Sequence, residues 1–201
     1  TGLNNLNVIS ILSNQYDEHF GFSQQEVDRL LQFYKLEDRR EIVKEWYDGY
    51  RFGECQVYNP WSVVNYIAEA IAGKESFPKT YWSNTSSNSI IKDLVEHADL
   101  ELRTEIENLI AGQSIEKQVH EDITYEDIHE SEDNLWNFLL FTGYLKAVGS
   151  RMEGTRQYLS LEIPNMEVKY IYENTITAWF DRKIRAADLS QFYSALENGN
   201  T

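Results

Sequence analysis

The spacing of apolar and polar residues predicts a buried helix followed by a β-hairpin near the middle of the chain. Residues 135–141 read Leu-Trp-Asn-Phe-Leu-Leu-Phe, which is too apolar for a helix on the surface. Gly143 ends this helix. Residues 144–150 and 157–163 then predict two strands, which are joined by a loop that contains Gly154. The pattern therefore places a hairpin directly after a buried helix.

The hairpin is followed by a second helical segment. Pro164 and Asn165 stop the second strand, and Asn165 can cap a helix that starts at Met166 and runs to about Arg185. Ser131 is the expected N-cap of the buried helix, with two carboxylates in the first turn, where they suit the helix dipole. A buried helix, a hairpin and another helix are typical of the end of a winged-helix unit.

The chain before this unit is predicted to be helical, with short strands. Ser23 begins a capping box, and Asn59 and Pro60 stand in the favoured order for an N-cap and a first helical residue. Gly49 and Gly53 flank an aromatic-rich turn and are expected to need positive φ. Besides the helix after Ser23, helices are expected at 37–47, 60–72, 88–97, 100–111 and 189–196, and strands at 56–58 and 114–119. The predicted fold class is mainly α with a small β-hairpin.

Composition and charge limit the classes of protein. The chain has 201 residues, of which 42% are hydrophobic, so it can bury a sizeable core and is not intrinsically disordered. No apolar run approaches the roughly 20 residues that cross a bilayer, and the single cysteine, Cys55, fits a reducing compartment. We therefore expect a cytoplasmic protein without a membrane partner. The chain begins without Met, and we expect it to be a piece of a longer protein.

The charge pattern bears on nucleic-acid binding in two ways. The net charge of −15 disfavours tight binding by this chain alone, because phosphate contacts need clustered Lys and Arg. Basic residues do occur on the predicted hairpin or its loop, namely Lys146, Arg151 and Arg156, where they would contact a phosphate backbone. The alternative is that these three residues only make the loop tip soluble.

No catalytic motif is complete. The chain lacks the glycine-rich phosphate-binding loop of nucleotide hydrolases and the Gly-x-Ser-x-Gly elbow of esterases. The short nuclease-like pattern of an acid, any residue and Lys occurs at residues 167–169 and 181–183, but both matches fall in a predicted helix. The acidic stretch between His120 and His129 has the residue types of a metal site, although a solvated loop is the simpler interpretation. We predict no catalytic residue and no metal site.

Six blocks of sequence resemble one family. They are similar to the C-terminal half of the AAA-ATPase-like proteins of bacteria and archaea that carry a PD-(D/E)XK-type nuclease domain after the ATPase region. The resemblance covers about residues 1–185, and the blocks follow the family's order. The blocks are residues 2–5, 46–53, 58–63, 82–86, 141–145 and 163–168.

The resemblance implies a division of the chain and a role for it. Residues 1–113 would be a helical lid-like region, 114–185 a winged-helix-like module, and 186–201 the truncated start of the nuclease-like domain. The phosphate-binding loop and its Mg-binding strand would lie upstream, and the nuclease domain downstream, as the partners in the same chain. ATP and Mg are thus implied for the parent protein and no cofactor for this piece, which would be a non-catalytic regulator that couples nucleotide state to the nuclease. Whether the parent protein is an active ATPase and nuclease stays open.

The resemblance also implies a binding position. In related signal-transduction ATPases, the lid presents a Pro at a helix start to the nucleotide base, and Tyr58, Asn59 and Pro60 stand at the matching kind of place. The alternative is ordinary helix capping. Two other classes of function remain as alternatives, a nucleic-acid-binding winged-helix module and a protein-interaction domain. The oligomeric state is not predicted.

Overall fold

The computed structural model describes residues 10–15, 17–73, 77–82, 100–120 and 132–175. Within this part the architecture is mixed α and β, with helices and two small antiparallel sheets. The helices are α1 (Gln24–Phe33), α2 (Arg40–Tyr47), α3 (Pro60–Ile71), α4 (Leu100–Ile110), α5 (Glu132–Phe141) and α6 (166–175). The strands are β1 (Tyr50–Phe52), β2 (Cys55–Val57), β3 (Ile115–Gln118), β4 (Lys146–Glu153) and β5 (Arg156–Glu162). No helix in these ranges is long and apolar enough to cross a membrane.

The first core is formed by α1, α2 and α3. Each of these helices places apolar residues three or four positions apart on one face, so the three faces bury one another. The buried side chains are Val27, Leu31, Val43, Tyr47, Tyr58, Val63, Tyr66 and Ile67. A hydrogen bond links Lys79 to this core, because the backbone N–H of Lys79 donates to the Tyr47 hydroxyl at 3.1 Å.

The second core joins α4, α5 and α6 to the larger sheet. Trp136, Leu139 and Leu140 of α5 are fully buried, as their apolar run predicts. The other buried side chains include Leu102, Ile106, Leu109, Leu159, Leu161, Val168, Ile171 and Tyr172. Helix α4 therefore shares a core with residues after 114, and the division of the chain at residue 113 stays a prediction.

The larger sheet has the strand order β3-β5-β4, and both pairings are antiparallel. The turn between β4 and β5 has only two residues, because Glu153 pairs with Arg156. A register shift between Ala147 and Gly149 bends the edge strand β4. The smaller sheet pairs β1 with β2, so that Tyr50 lies opposite Val57.

Several local predictions are confirmed. Ser23 forms both bonds of the capping box, and Asn59 caps α3 with Pro60 at the first position. Gly49 and Gly53 have φ values of +94° and +53°. The predicted Glu-Val-Lys match at 167–169 does lie in a helix.

The structure also differs from the predictions. Residues 50–52 form a strand that was not predicted. This strand forms because a short turn lets residues 50–52 pair with β2. The hairpin strands β4 and β5 run closer to Gly154 than expected, since the strand pairing continues through Met152 with Gln157 and Glu153 with Arg156 up to the turn. The start of the predicted helix 37–47 is a 3-10 turn, Glu37–Arg39. The Ser131 cap, the helices at 88–97 and 189–196, the match at 181–183 and residues 176–185 lie outside the described residues.

Candidate functional site

A cleft of about 230 Å³ lies where four parts of the chain meet. They are the small sheet, the start of α3, the turn after α5, and Trp82. Most of its wall is apolar or aromatic. The lining residues are Ile11, Phe20, Tyr50, Arg51, Phe52, Val57, Tyr58, Asn59, Pro60, Trp82, Leu140, Phe141, Thr142, Gly143 and Leu145. Four of the six resemblance blocks contribute to this wall, although the blocks at residues 46–53 and 141–145 lie at least 88 positions apart in the chain (141 − 53).

Tyr58, Asn59 and Pro60 lie together in the cleft wall. Asn59 accepts a hydrogen bond from the backbone N–H of Trp61 at 3.0 Å, which caps α3, and its own N–H donates to the Tyr47 carbonyl at 3.0 Å. Tyr58 is buried, and its hydroxyl donates to Gln24 Oε1 at 2.7 Å. Burial raises the pKa of Tyr58, so the hydroxyl stays protonated and neutral. The three residues are therefore held rigidly at the helix start.

The mouth of the cleft carries a stacked aromatic pair. The rings of Phe20 and Phe52 lie 5.2 Å apart at 19°, and Phe20 is 56% exposed. Arg51 lies beside them, where its Nε donates to the Gly53 carbonyl at 3.2 Å. Sequence reasoning did not assign these residues to a site. The signal for Phe52 was its place inside a resemblance block, whereas no pattern marked Phe20.

The floor of the cleft is closed by aromatic contacts. Trp82 packs on Tyr144 with ring centres 4.7 Å apart, and it meets Tyr50 edge to face at 6.4 Å. Gly143 has φ of +83°, and a Cβ there would lie 3.3 Å from the Tyr50 ring. Burial also raises the pKa of Tyr50. The floor is therefore uncharged and tightly packed.

The two cores join directly behind the cleft. Asn165 donates to the Asp48 carbonyl at 2.8 Å and accepts from the Val168 N–H at 3.0 Å, so it caps α6 while it holds the turn after α2. Gly49 packs so closely on Pro164 that a Cβ would overlap the Pro164 carbonyl oxygen. The block at residues 163–168 thus contacts the block at residues 46–53.

Glu167 is buried in the same junction with no exposed surface. Its carboxylate accepts from Ser62 Oγ at 2.8 and 3.0 Å, and from the Trp82 N–H at 2.9 Å. Burial raises the pKa of Glu167, although the bonds from Trp82 and Ser62 partly offset this effect. Sequence reasoning placed Glu167 in a nuclease-like match and in the resemblance block at residues 163–168, but it missed the position of Glu167 between the cores.

The basic residues of the hairpin do not form a cluster. Arg151 binds Glu116 through two bonds of 2.6 and 2.8 Å and lies over the Tyr158 ring at 4.4 Å. Lys146 lies near Glu162 at 3.9 Å, and Arg156 starts β5 on the far side of the turn. Carboxylates therefore already neutralise part of the charge that a phosphate would meet.

The part of the chain that the structure describes holds no group of three side chains arranged to bind a metal ion. The backbone N–H of His120 donates to Asn137 Oδ1 at 3.0 Å, which ties the end of β3 to α5. His129 and most of the acidic stretch lie outside the described residues. Within the stretch, only His120 is described.

Comparisons with known proteins give one distant relative. The chain is 24% identical over 169 residues to an uncharacterized protein in the vnfD 5′ region of Azotobacter chroococcum mcd 1. The match covers 84% of this chain and 30% of the relative, so the chain spans less than a third of that protein's length. No family model matches the chain. No solved structure matches it either.

Proposed function

We propose that this chain is the lid-like and winged-helix-like region of a nucleotide-dependent switch protein, and that its cleft receives the nucleotide base. The observation that carries the proposal is the cleft itself, because it combines the start of α3 at Asn59 and Pro60 with a stacked aromatic pair at the mouth. A planar ring would stack against Phe52 and face the first turn of α3.

The size of the cleft fits a base better than a whole nucleotide. Sites for drug-sized ligands have volumes of roughly 300–1,000 Å³, and this cleft has about 230 Å³. A ring system would fill it, and the phosphates would lie outside. That arrangement agrees with the resemblance, in which the phosphate-binding loop, ATP and Mg belong to the upstream region of the parent protein.

The second core supports the winged-helix part of the proposal. Helix α4 precedes β3, α5 directly precedes β4, and the strand order is β3-β5-β4. This order supports a winged-helix assignment for the described elements, which leave out residues 121–131 between β3 and α5. In the parent protein this module would pass the nucleotide state to the downstream nuclease-like domain. The parent's ATPase and nuclease activities are part of the proposal.

The electrostatics weigh against nucleic acid as the main ligand. Helix α5 occupies the place before the hairpin, where a winged helix would present its recognition helix, but it contains no Lys or Arg and begins with Glu132 and Asp133. Arg151 is already paired with Glu116. The module is therefore better suited to contact protein surfaces than phosphates.

Calorimetric titration with ATP tests the proposed base site. We would compare this chain with a form extended upstream through the expected phosphate-binding loop. We expect the extended form to bind and this chain alone to bind weakly or not at all. Phe52→Ala should weaken binding by the extended form, because stacking on an aromatic ring contributes about 1–3 kcal/mol per base, or about 5- to 150-fold. Pro60→Ala should also weaken it, because Pro60 lines the cleft at the start of α3.

Phe33→Ala is the matched control, since Phe33 is 77% exposed on α1 and does not line the cleft. The control should bind ATP like the unchanged protein. If the extended form does not bind, or if Phe52→Ala binds as well as Phe33→Ala, the base-binding role is refuted.

A protein-interaction role is a second candidate, and it is supported by a different face of α3. Trp61, Val64 and Ile71 lie on one side of this helix and are 61%, 50% and 52% exposed. Exposed apolar stripes of this kind mark contact sites for other proteins. Self-association is the simplest case. Sedimentation should show mass rising with concentration, and a Trp61→Ser, Val64→Ser variant should stay monomeric; a concentration-independent monomer would exclude self-association.

A further inference from the structure

Glu167 lies in an unusual environment for a carboxylate. It has no exposed surface, and it occupies the first turn of α6, next to Val168 of the second core. Its hydrogen-bond partners come from two other segments, Ser62 of α3 and the backbone of Tyr81 and Trp82. The carboxylate is therefore the polar contact at which the two cores meet.

No positive side chain among the described residues forms an ion pair with this carboxylate. Its neighbours on the other packed elements are tyrosine hydroxyls that affect it electrostatically, namely those of Tyr47 on α2, Tyr50 on β1, and Tyr81. These hydroxyls are neutral, since burial raises their pKa. Among these described neighbours, the hydrogen bonds and the first turn of α6 are what stabilises the negative charge of Glu167.

A protonated Glu167 can keep both Ser62 and Trp82 as partners, although the two bonds favour the carboxylate form. A carboxylic acid can donate its proton to Ser62 Oγ, while its other oxygen still accepts from the Trp82 N–H. Ser62 only reverses its role from donor to acceptor. The junction therefore keeps both contacts without a buried charge when Glu167 takes up a proton.

We propose that Glu167 is a proton-linked latch between the two cores, which closes most firmly when its carboxyl group is protonated. When the junction closes, Glu167 takes up a proton from water and docks on Ser62 and Trp82. When the junction opens, water surrounds the carboxyl group and the proton is released. The latch is a property of the junction between the cores and does not rest on the proposed nucleotide site.

The direction of the pH dependence follows from linkage. The pKa of Glu167 is raised in the folded protein, so the folded state binds more protons than the unfolded state between the ordinary and the raised pKa. The contribution of Glu167 to stability is therefore fully present below its ordinary pKa. This contribution is lost as pH rises through the raised pKa of Glu167.

Hydrogen exchange at the Trp82 amide measures the latch directly, because this N–H donates to the carboxylate. Protection would be followed from pH 5 to pH 8 and corrected for the intrinsic exchange rate. We expect protection to fall with pH by up to tenfold per pH unit within the window, which is the limit for one proton. Glu167→Gln should remove this dependence, because the amide is neutral and still accepts from Trp82.

Glu173→Gln is the matched control on the same helix. Its carboxylate is 42% exposed and lies 3.9 Å from Lys169, so the change should leave the pH dependence at Trp82 intact. Equal pH profiles for the unchanged protein and Glu167→Gln would overturn the proposal.

Ser62→Ala provides an independent test if Glu167→Gln does not fold. It removes the hydroxyl that stabilises the Glu167 carboxylate. The pH range in which protection of the Trp82 amide falls should therefore move to higher pH. If this range stays in place, Ser62 does not control the proton and the latch is refuted.

Discussion

Replacement of Gly49 by Ala should be among the most damaging single changes in the chain. Gly49 has φ of +94°, a backbone conformation that L-residues rarely adopt. A Cβ at this position would also overlap the Pro164 carbonyl oxygen. That oxygen belongs to backbone and not to the end of a flexible side chain, so the two segments must move apart.

The magnitude follows from three contributions. Left-handed backbone strain for a residue with a Cβ is about 1–2 kcal/mol. Forcing extra volume into a packed contact adds about 1–3 kcal/mol. Separation of the segments also weakens the hydrogen bond from Asn165 to the Asp48 carbonyl, which contributes about 1 kcal/mol. The free energy of unfolding should therefore fall by about 3–6 kcal/mol.

Urea unfolding followed by tryptophan fluorescence measures this loss. With an m value of about 2 kcal/mol per M, the midpoint should fall by about 1.5–3 M. Gly73→Ala is the matched control, because Gly73 has φ of +72° but no atom of the described residues lies within 4 Å of the added Cβ. In the control, the free energy of unfolding should fall only by the cost of backbone strain, about 1–2 kcal/mol. Equal losses in both variants would refute the close contact between Gly49 and Pro164.

Three further changes test other parts of the structure. Ser23→Ala should lower stability by about 1 kcal/mol in thermal unfolding, because it removes the capping box with Glu26; no change would mean that the cap contributes nothing. Asn137→Ala should cost about 2–4 kcal/mol in urea unfolding, since it leaves the His120 N–H and the Gln118 carbonyl without partners in the second core; a loss under 1 kcal/mol would show that water replaces the amide. The Arg151 guanidinium lowers the pKa of Glu116, so this pair stabilises the sheet above the ordinary pKa of Glu116 and the effect is lost as pH falls through the lowered value. In Arg151→Met, the free energy of unfolding should therefore fall less steeply as pH is lowered. An unchanged pH dependence would contradict the pairing of Arg151 with Glu116.

Local signals allowed much of the secondary structure to be predicted. Ser23, Asn59 and Pro60 mark helix starts through their own chemistry, and Gly49 and Gly53 mark positions where a Cβ is unfavourable, so each can be identified from a few adjacent residues. The strand at residues 50–52 was missed because it is short and depends on pairing with β2. Pairing of this kind is a property of two segments and leaves little trace in either one.

The candidate site shows the same limit more strongly. Asn59 and Pro60 could be selected because a resemblance supplied a position for them. Nothing in the local sequence around Glu167 indicates that it would be buried against Ser62, which is 105 positions away. Phe20 is likewise placed at the cleft by the fold and not by a motif. Long-range packing, which the single sequence does not encode in any readable pattern, decides which residues meet.

The separation between Ser62 and Glu167 has a consequence for synthesis on the ribosome. The residues of the first core, from Val27 to Ile67, are all made before Glu167, which follows Ser62 by 105 positions. At roughly 5–20 residues per second, that interval lasts about 5–20 s. During this time the Glu167 carboxylate and the Asn165 cap have not yet been made, so the nascent first core cannot pack against them. Ser62 and the Asp48 carbonyl are then solvated, and this is the period in which a ribosome-associated chaperone would find the open junction.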